Sequence, residues 1–505
     1  MKLSTVALWS TLGMAGTSLG VWTLTPASEA SAGSKTTSSA STSADGPRAR
    51  ADDGATTKLL DLAVGKPGAV FEVSDTLQVN GRVGHPTLAA GDAAETFVHV
   101  DLSGRTGDVA ETAAPLNLSI VLDRSRSMQG QRMRNALAAA RGMVRRLRPG
   151  DTVSVVTYNT RTELLVPATT IDDRSREQVL FSLREVEARG HTCVSCGIEA
   201  GLSAMGRRPG TIARMLLLSD GEANAGVRDP EGFRDIAQRA HDDDVSISSV
   251  GVDVDYNEQI MFAVAQASNG RHYFVEDPAA LPAIFDEEIA DLVNTVANDT
   301  EVVVDLAPGV ALLEVYDRTF RRDGNRIIVP FGGFAADEHK TLLLRVQLPK
   351  SEAGLQAVAS VQIAYDDLTK GDKGGLSGEL VAVRTDDTSA VSELDAVVEN
   401  RLARVETKNA FATANEQFSR GEVAAAKATL AETRGRIRRR QASAKKKAPG
   451  LQRLDQDFET QLKSLEKADR GFDEAAAEAP ADPSLSRKGK AQIRSNVDDS
   501  FLLGL

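Results

Sequence analysis

Three oxygen-bearing side chains, Asp123, Ser125 and Ser127, occupy alternate positions directly after an apolar run. The run, Leu116–Leu122, is typical of a buried strand, and a helical pattern begins at Met128. One carboxylate and two hydroxyls in a tight turn offer three hard oxygen ligands, which Mg²⁺ prefers and supplements with water. The spacing therefore predicts a divalent-metal site at this turn. A carboxylate that caps the following helix is the alternative interpretation.

Two further oxygen donors occupy comparable places later in the chain. Thr192 opens a predicted helix, and Asp220 ends the apolar strand that begins at Met215. Ligands of open α/β sheets bind at the carboxyl ends of the strands. We therefore expect Thr192 and Asp220 at the same sheet edge as the first three donors.

The order, spacing and topology of these residues resemble the metal-ion-dependent adhesion site of von Willebrand factor type A domains. The matching residues are Asp123, Ser125 and Ser127, then Thr192, then Asp220 within Leu217-Leu218-Ser219-Asp220-Gly221. The resemblance covers about Leu116 to Val296. It implies that both serines bind the ion directly, and that Thr192 and the two aspartates bind it directly or through water. It also implies Mg²⁺ as the ion, with Mn²⁺ or Ca²⁺ as alternatives, and an acidic residue of a protein partner as the last ligand.

Two aspartates would nearly neutralise a divalent ion and leave an open position for an incoming carboxylate. Such an ion polarises water weakly, so the sequence favours a binding protein over an enzyme. Arg126 departs from the family pattern, because related bacterial sequences usually have Gly there. Arg124 and Arg126 either add positive charge at the rim, which favours an acidic partner, or are two solvated loop arginines.

The elements around these residues predict the fold class. Strands alternate with helices across the central part of the chain, which predicts a doubly wound, mostly parallel α/β domain of Rossmann-like type. Short runs of alternating apolar and polar residues, bounded by turn residues, predict β structure on both sides of this domain. A helical hairpin is predicted after the second β-region. The predicted ranges are a β-rich N-terminal region at 57–113, the α/β domain at 114–297, a β-sandwich-like domain at 298–386, a helical region at 387–472 and a disordered tail at 473–505.

The N-terminus predicts export. Lys2 precedes an apolar run from Leu3 to Leu24, and Ala30-Ser31-Ala32 supplies a small-residue cleavage site, so residues 1–32 resemble a secretory signal. An uncleaved membrane anchor is the alternative. Residues 33–56 are rich in Ser, Thr and Ala and predict a disordered linker. We therefore expect a periplasmic, cell-surface or extracellular protein, and the net charge of −12 argues against a nucleic-acid partner.

Cys193 and Cys196, the two cysteines of the chain, directly follow Thr192. In an exported protein they predict a local disulfide that braces the loop holding Thr192. A thiol-disulfide oxidoreductase is the rival function, since a Cys-x-x-Cys pair at a helix start has a lowered thiol pKa. A zinc site with His191 would still need a fourth ligand. A structural envelope component with a permanently occupied metal site is a third alternative.

A dense basic stretch lies late in the chain, which we call the basic block. Its members are Arg434, Arg436, Arg438, Arg439, Arg440, Lys445, Lys446 and Lys447. The block is either a solvated helix end or a surface that docks to an acidic polymer, a membrane surface or an acidic patch of the protein itself.

Overall fold

The computed structural model describes residues 69–71, 74–105 and 114–504. The predicted signal segment and the predicted linker lie outside these residues. Within the described part of the chain, no helix has both the length and the apolar character needed to cross a membrane.

The strands, in chain order, are β1 (Ala69–Phe71), β2 (Leu77–Val83), β3 (Thr87–Ala89), β4 (Ala94–Gly104), β5 (Leu116–Asp123), β6 (Thr152–Tyr158), β7 (Thr162–Thr170), β8 (Ile212–Ser219), β9 (Val245–Val252), β10 (His272–Val275), β11 (Thr295–Leu306), β12 (Ala311–Tyr316), β13 (Arg321–Asp323), β14 (Arg326–Ala335), β15 (His339–Leu348), β16 (Gly354–Asp367) and β17 (Asp372–Thr385). The α-helices are α1 (Gln131–Arg146), α2 (Asp173–Ser182), α3 (Val194–Met205), α4 (Pro230–Asp242), α5 (Glu258–Ala267), α6 (Leu281–Val293), α7 (Ala396–Ser419), α8 (Val423–Lys447), α9 (Gln452–Glu478) and α10 (Arg487–Gly504).

The central sheet has the spatial order β10-β9-β8-β5-β6-β7. Its strands are parallel except β7, which pairs antiparallel with β6. Every residue of β5 is buried, because helices cover both faces of the sheet. Leu118 and Ile120 pack on the side of α1 and α6, whereas Val121 packs on the side of α3, α4 and α5. The doubly wound, mostly parallel α/β fold is confirmed.

The strand order reverses between β5 and β8. From β5 the chain moves outward to β6 and β7, and it then returns to place β8 on the other side of β5. Such a reversal leaves a crevice at the carboxyl ends of the two neighbouring strands, and ligands of α/β proteins bind in crevices of this kind. Asp123 ends β5, and Asp220 directly follows β8.

The two β-regions predicted as separate form one sandwich. One sheet has the order β1-β17-β16-β11-β14-β13, with β3 beside β17, and the other has the order β12-β15-β4-β2. Strand β4 pairs with β15 from Ala94–Leu348 to Ser103–His339, so segments before and after the α/β domain share a sheet. The prediction of a separate N-terminal β-region is wrong, because these pairings are long-range and leave no local pattern.

The C-terminal region is longer and more ordered than a hairpin. Helices α7, α8, α9 and α10 share an apolar core in which the rings of Phe418 and Phe472 stack with centroids 4.2 Å apart. The prediction of a disordered tail at 473–505 is wrong, since α9 continues to Glu478 and α10 buries Phe501 and Leu503. The many Ala, Asp and Ser residues of this segment dilute the apolar stripe that packs against the rest of the chain.

Candidate metal centre

The turn after β5 begins with a buried carboxylate whose orientation is fixed. Asp123 is completely buried, and its Oδ1 accepts a hydrogen bond of 2.8 Å from the Ser125 backbone N–H. Its Oδ2 accepts one of 2.9 Å from the Ser219 hydroxyl of the neighbouring strand β8. The Arg124 N–H donates to the Tyr158 carbonyl at 2.7 Å, which ties the turn to the end of β6. The carboxylate is therefore held by the turn itself and by β8, and the turn is also fixed to β6.

The serine hydroxyls connect this turn to the second aspartate. Ser125 Oγ lies 2.9 Å from Ser127 Oγ, and the Ser127 hydroxyl donates to Asp220 Oδ1 at 2.7 Å. Asp220 is completely buried at the end of β8. Four of the five predicted residues thus form one connected cluster of oxygen atoms at the carboxyl edge of the sheet.

Thr192 completes the predicted set on the same edge. A methyl group built on Gly221 would lie 3.4 Å from Thr192 Oγ1 and 3.6 Å from Ser127 Oγ, so both hydroxyls lie next to that glycine. Asn224 fixes the threonine backbone: its Oδ1 accepts from the Thr192 N–H at 2.9 Å, and its own N–H donates to the Thr192 carbonyl at 3.0 Å. Ser125, Ser127 and Thr192 line an open cleft.

The electrostatics of the cluster fit a cation. Burial, together with the negative charge of Asp220, raises the pKa of Asp123 to about 7. Burial also raises the pKa of Asp220, although hydrogen bonds from Ser127 and Arg132 partly offset the rise. Two carboxylates and three hydroxyls beside an open cleft are the donor set that Mg²⁺ or another hard divalent ion prefers. The residues present therefore fit a divalent ion.

A family model for the von Willebrand factor type A domain matches residues 117–287. These residues form a von Willebrand factor type A domain. Domains of this type commonly bind a divalent metal ion at this edge of the sheet, and they indicate protein interaction or adhesion as the kind of function.

Two relatives known from sequence match about half of this chain at low identity. The uncharacterized protein sll0103 of Synechocystis sp. is 26% identical over 277 residues, which are 53% of this chain and 65% of that protein. The uncharacterized protein YfbK of Escherichia coli is 25% identical over 292 residues, which are 55% of this chain and 49% of that protein. The matched segments thus span about half to two thirds of these relatives.

Solved structures share the fold beyond the von Willebrand factor type A domain. A von Willebrand factor type A protein from Catenulispora acidiphila superposes with a TM-score of 0.63 at 18% identity and covers 79% of this chain and 92% of its own. The ArnB paralog VWA2 from Sulfolobus acidocaldarius superposes with a TM-score of 0.56 at 16% identity and covers 85% of this chain and 99% of its own. The likeness therefore includes parts of the flanking sandwich and helices.

Arg132, on the first turn of α1, contacts the cluster and was missed by the sequence analysis. Its Nη1 donates to Asp220 Oδ2 at 2.9 Å and to the Ser127 carbonyl at 3.0 Å, and its Nη2 pairs with Asp253. Ser219 and Asn224 were also missed. Ser219 could have been found from the sequence, since it directly precedes the predicted ligand Asp220. No local sequence pattern links Arg132 to Asp220, because several strands and helices separate the two residues in the chain.

The two arginines of the turn have different environments. The Arg124 side chain is largely buried and forms an ion pair of 3.1 Å with Glu163 on the edge strand β7. Arg126 is exposed and lines the cleft of the von Willebrand factor type A domain. The alternative of two solvated arginines is therefore wrong for Arg124, and Arg126 places positive charge at the rim.

The sulfurs of Cys193 and Cys196 form a disulfide with the Cα atoms 5.3 Å apart. It closes the start of α3 directly after Thr192, and Cys193 is buried. The Cys193 N–H donates to the Asn159 carbonyl at 3.0 Å, which anchors this loop to the end of β6. The arrangement matches a brace for the loop of Thr192. Within the described residues no cluster of three or more His, Cys, Asp or Glu side chains is placed to hold a metal, so the zinc alternative has no support.

The basic block lies on α8 and pairs with acidic side chains of its own chain. Ion pairs join Arg436 and Arg440 to Glu406, Arg434 and Arg438 to Glu466, Lys445 to Asp455, and Lys447 to Glu393 and Glu399. Most of these partners lie on the neighbouring helices α7 and α9. Of the predicted alternatives, an acidic patch of the protein itself agrees with these contacts.

Proposed function

We propose that the chain is an exported binding protein that captures an acidic residue of a protein partner through a divalent ion, with Mg²⁺ as the leading candidate. Adhesion or envelope assembly would be the setting. The observation that carries the proposal is the connected cluster of Asp123, Ser125, Ser127 and Asp220, with Thr192 beside it at an open cleft.

The roles of the residues follow from their chemistry. The hydroxyls of Ser125 and Ser127 would hold the ion directly, and Thr192, Asp123 and Asp220 would hold it directly or through water. When bound, the ion supplies the positive charge that attracts a carboxylate of the partner. Exposed Arg126 adds to that attraction at the rim of the cleft.

A binding function accounts for the cluster better than catalysis. Two aspartates would nearly neutralise the ion and weaken its effect on water. A serine nucleophile needs an adjacent base. In the described part of the chain, no histidine forms a hydrogen bond with Ser125 or Ser127, whose hydroxyls instead contact each other and Asp220.

The rival functions lack a comparable observation. A thiol oxidoreductase needs an accessible sulfur for exchange, whereas Cys193 is buried and Cys196 is half-buried. A structural envelope component would use the same metal site with an internal partner, so it differs from the proposal in the source of the last ligand. Export itself is inferred from residues 1–32, which lie outside the described residues.

Capture of a partner tests the proposal as a whole. The mature chain is immobilised and exposed to envelope extract in Mg²⁺, and bound protein is compared after a wash with EDTA. We expect the wild-type chain to retain a partner in Mg²⁺ and to release it in EDTA, and the Ser125→Ala variant to retain little in either buffer. Retention that persists in EDTA would contradict a metal-bridged contact.

A further inference from the structure

A positively charged side chain occupies one side of the candidate metal centre. The Arg132 guanidinium binds Asp220 through Oδ2, while Asp220 Oδ1 accepts from Ser127. It also donates to the Ser127 carbonyl, so it contacts two residues that the proposed function assigns to the ion. Burial lowers the pKa of Arg132, but the charges of Asp253 and Asp220 raise it above its ordinary value. The guanidinium is therefore always charged.

The same guanidinium is shared with a second carboxylate that does not belong to the predicted site. Asp253 directly follows β9 and has a left-handed φ of 63°, and its own Oδ1 accepts from the Val254 N–H at 2.8 Å. Its pKa is lowered, because the Val254 hydrogen bond and the arginine charges outweigh the effect of burial. Arg132 thus divides its positive charge between Asp220 and Asp253.

Asp253 in turn contacts the last helix of the chain. Arg487, the first residue of α10, lies 2.7 Å from Asp253 Oδ1. The same helix is fastened to the loop after β9 by Lys490 with Asp255 at 2.9 Å and by Arg494 with the Tyr256 carbonyl at 3.0 Å. A continuous series of charged contacts therefore joins α10 to Asp220.

We infer that Arg132 is a fixed internal cation that competes with the divalent ion for Asp220, and that Asp253 and Arg487 set the strength of this competition. This inference rests on the proposed metal site. Arg132 is a positioning residue, because it acts on the ion through Asp220. It lowers the affinity for the ion, and in the ion-bound state it leaves the cleft more positive than two aspartates alone would. That excess charge suits a carboxylate-bearing partner.

The sign of the effect separates this role from a purely structural one. If Arg132 only held Asp220 in place, its loss would weaken metal binding. If it competes with the ion, its neutral replacement strengthens metal binding, because one positive charge beside the site is removed. Arg132→Lys keeps the charge but not the forked contact, so it separates charge from geometry.

Calorimetric titration of Mg²⁺ into the chelator-treated full chain tests the inference. We expect Arg132→Gln to bind Mg²⁺ about tenfold more tightly than wild type. Arg132→Lys is expected to stay within about threefold of wild type, since its charge is retained. Without Mg²⁺, Arg132→Gln is expected to unfold several degrees lower, because buried Asp220 loses its cationic partner and Asp253 loses one of two.

A substitution at Arg487 tests the inference without changing a residue that contacts the metal centre. The Arg487 side chain is 55% exposed, so Arg487→Gln leaves the fold intact. It frees Asp253 to draw Arg132 away from Asp220, and we expect about twofold tighter Mg²⁺ binding. Lys488→Gln is the matched control, because Lys488 is equally exposed and pairs with Glu474 instead.

The outcomes separate the two proposals. Wild-type protein that binds no Mg²⁺ overturns the proposed metal site and, with it, the competition. Wild-type protein that binds Mg²⁺, combined with an Arg132→Gln variant that binds equally or more weakly, overturns the competition alone. Equal effects of Arg487→Gln and Lys488→Gln overturn the link to α10.

Discussion

The candidate metal centre of the von Willebrand factor type A domain and the basic block of α8 both bring like charges together, but they differ in how that charge is compensated. The basic block finds acidic partners on neighbouring helices of its own chain, such as Glu406 and Glu466. In the candidate metal centre, Asp123 has no cationic partner among the described residues, and its carboxylate is held by Ser125 and Ser219. The second carboxylate, Asp220, has Arg132 as a partner but shares it with Asp253. Uncompensated charge beside hydroxyls indicates a binding site, whereas charge compensated within the fold indicates structure.

The largest expected effect follows from removing the hydroxyls of the turn. The Ser125→Ala, Ser127→Ala double variant is expected to lose about 100-fold in Mg²⁺ affinity, or about 2.8 kcal/mol, because two direct ligands are absent. Calorimetric titration measures it. Ser203→Ala on the exposed side of α3 serves as the control and should bind like wild type. An unchanged affinity in the double variant would mean that the turn does not bind the ion. Its charged and polar groups would then have only a structural role, like those of the basic block.

A half-buried carboxylate that accepts from a backbone N–H rather than from the hydroxyls of the turn sharpens the comparison. Burial and the charge of Asp499 together raise the pKa of Asp498 to about 7, while its carboxylate accepts from the Phe274 N–H. A raised carboxyl pKa destabilises the fold as pH rises from about 4 to about 7. Asp498→Asn should therefore match wild type at pH 4 and be about 2 kcal/mol more stable at pH 8. Denaturant unfolding at both pH values measures this difference.

Mg²⁺ provides the control for that experiment. Because Asp498 lacks the hydroxyl donors of the turn, added Mg²⁺ should leave the difference between Asp498→Asn and wild type unchanged. A difference that Mg²⁺ abolished would mean that buried charge alone suffices to bind the ion.

The smallest expected effect concerns the basic block. Glu406 receives ion pairs from Arg436 and Arg440, so Glu406→Gln should lower the free energy of unfolding by about 1 kcal/mol and leave Mg²⁺ affinity unchanged. Glu416→Gln, on the same helix but in an exposed pair with Arg420, should cost less than about 0.5 kcal/mol. Equal costs would show that the compensated charges of the block contribute nothing specific.

Local patterns were sufficient to predict the central domain. The apolar β5, the alternation of oxygen donors from Asp123 to Ser127 and the strand before Asp220 each lie within a few residues, and parallel strands must present their carboxyl ends at one edge. The five predicted donors therefore meet in the structure.

The features that could not be predicted from the sequence depend on long-range contacts. Arg132 is 88 residues from Asp220 and 121 from Asp253, and neither distance leaves a periodic signal. The pairing of β4 with β15 spans the whole inserted domain. Helix α10 buries its apolar residues against other elements of the chain. The sequence of this helix alone does not identify those elements.

Titration of Mg²⁺ into the chelator-treated mature chain, with Asp123→Ala and Ser125→Ala compared to wild type, tests the central claim most directly. Glu163→Gln is the control, because Glu163 pairs with Arg124 and not with the cluster. We predict one Mg²⁺ site in wild type and Glu163→Gln, and affinity reduced by about tenfold or more in the other two variants. Equal affinity in all four proteins would contradict a metal centre at this turn.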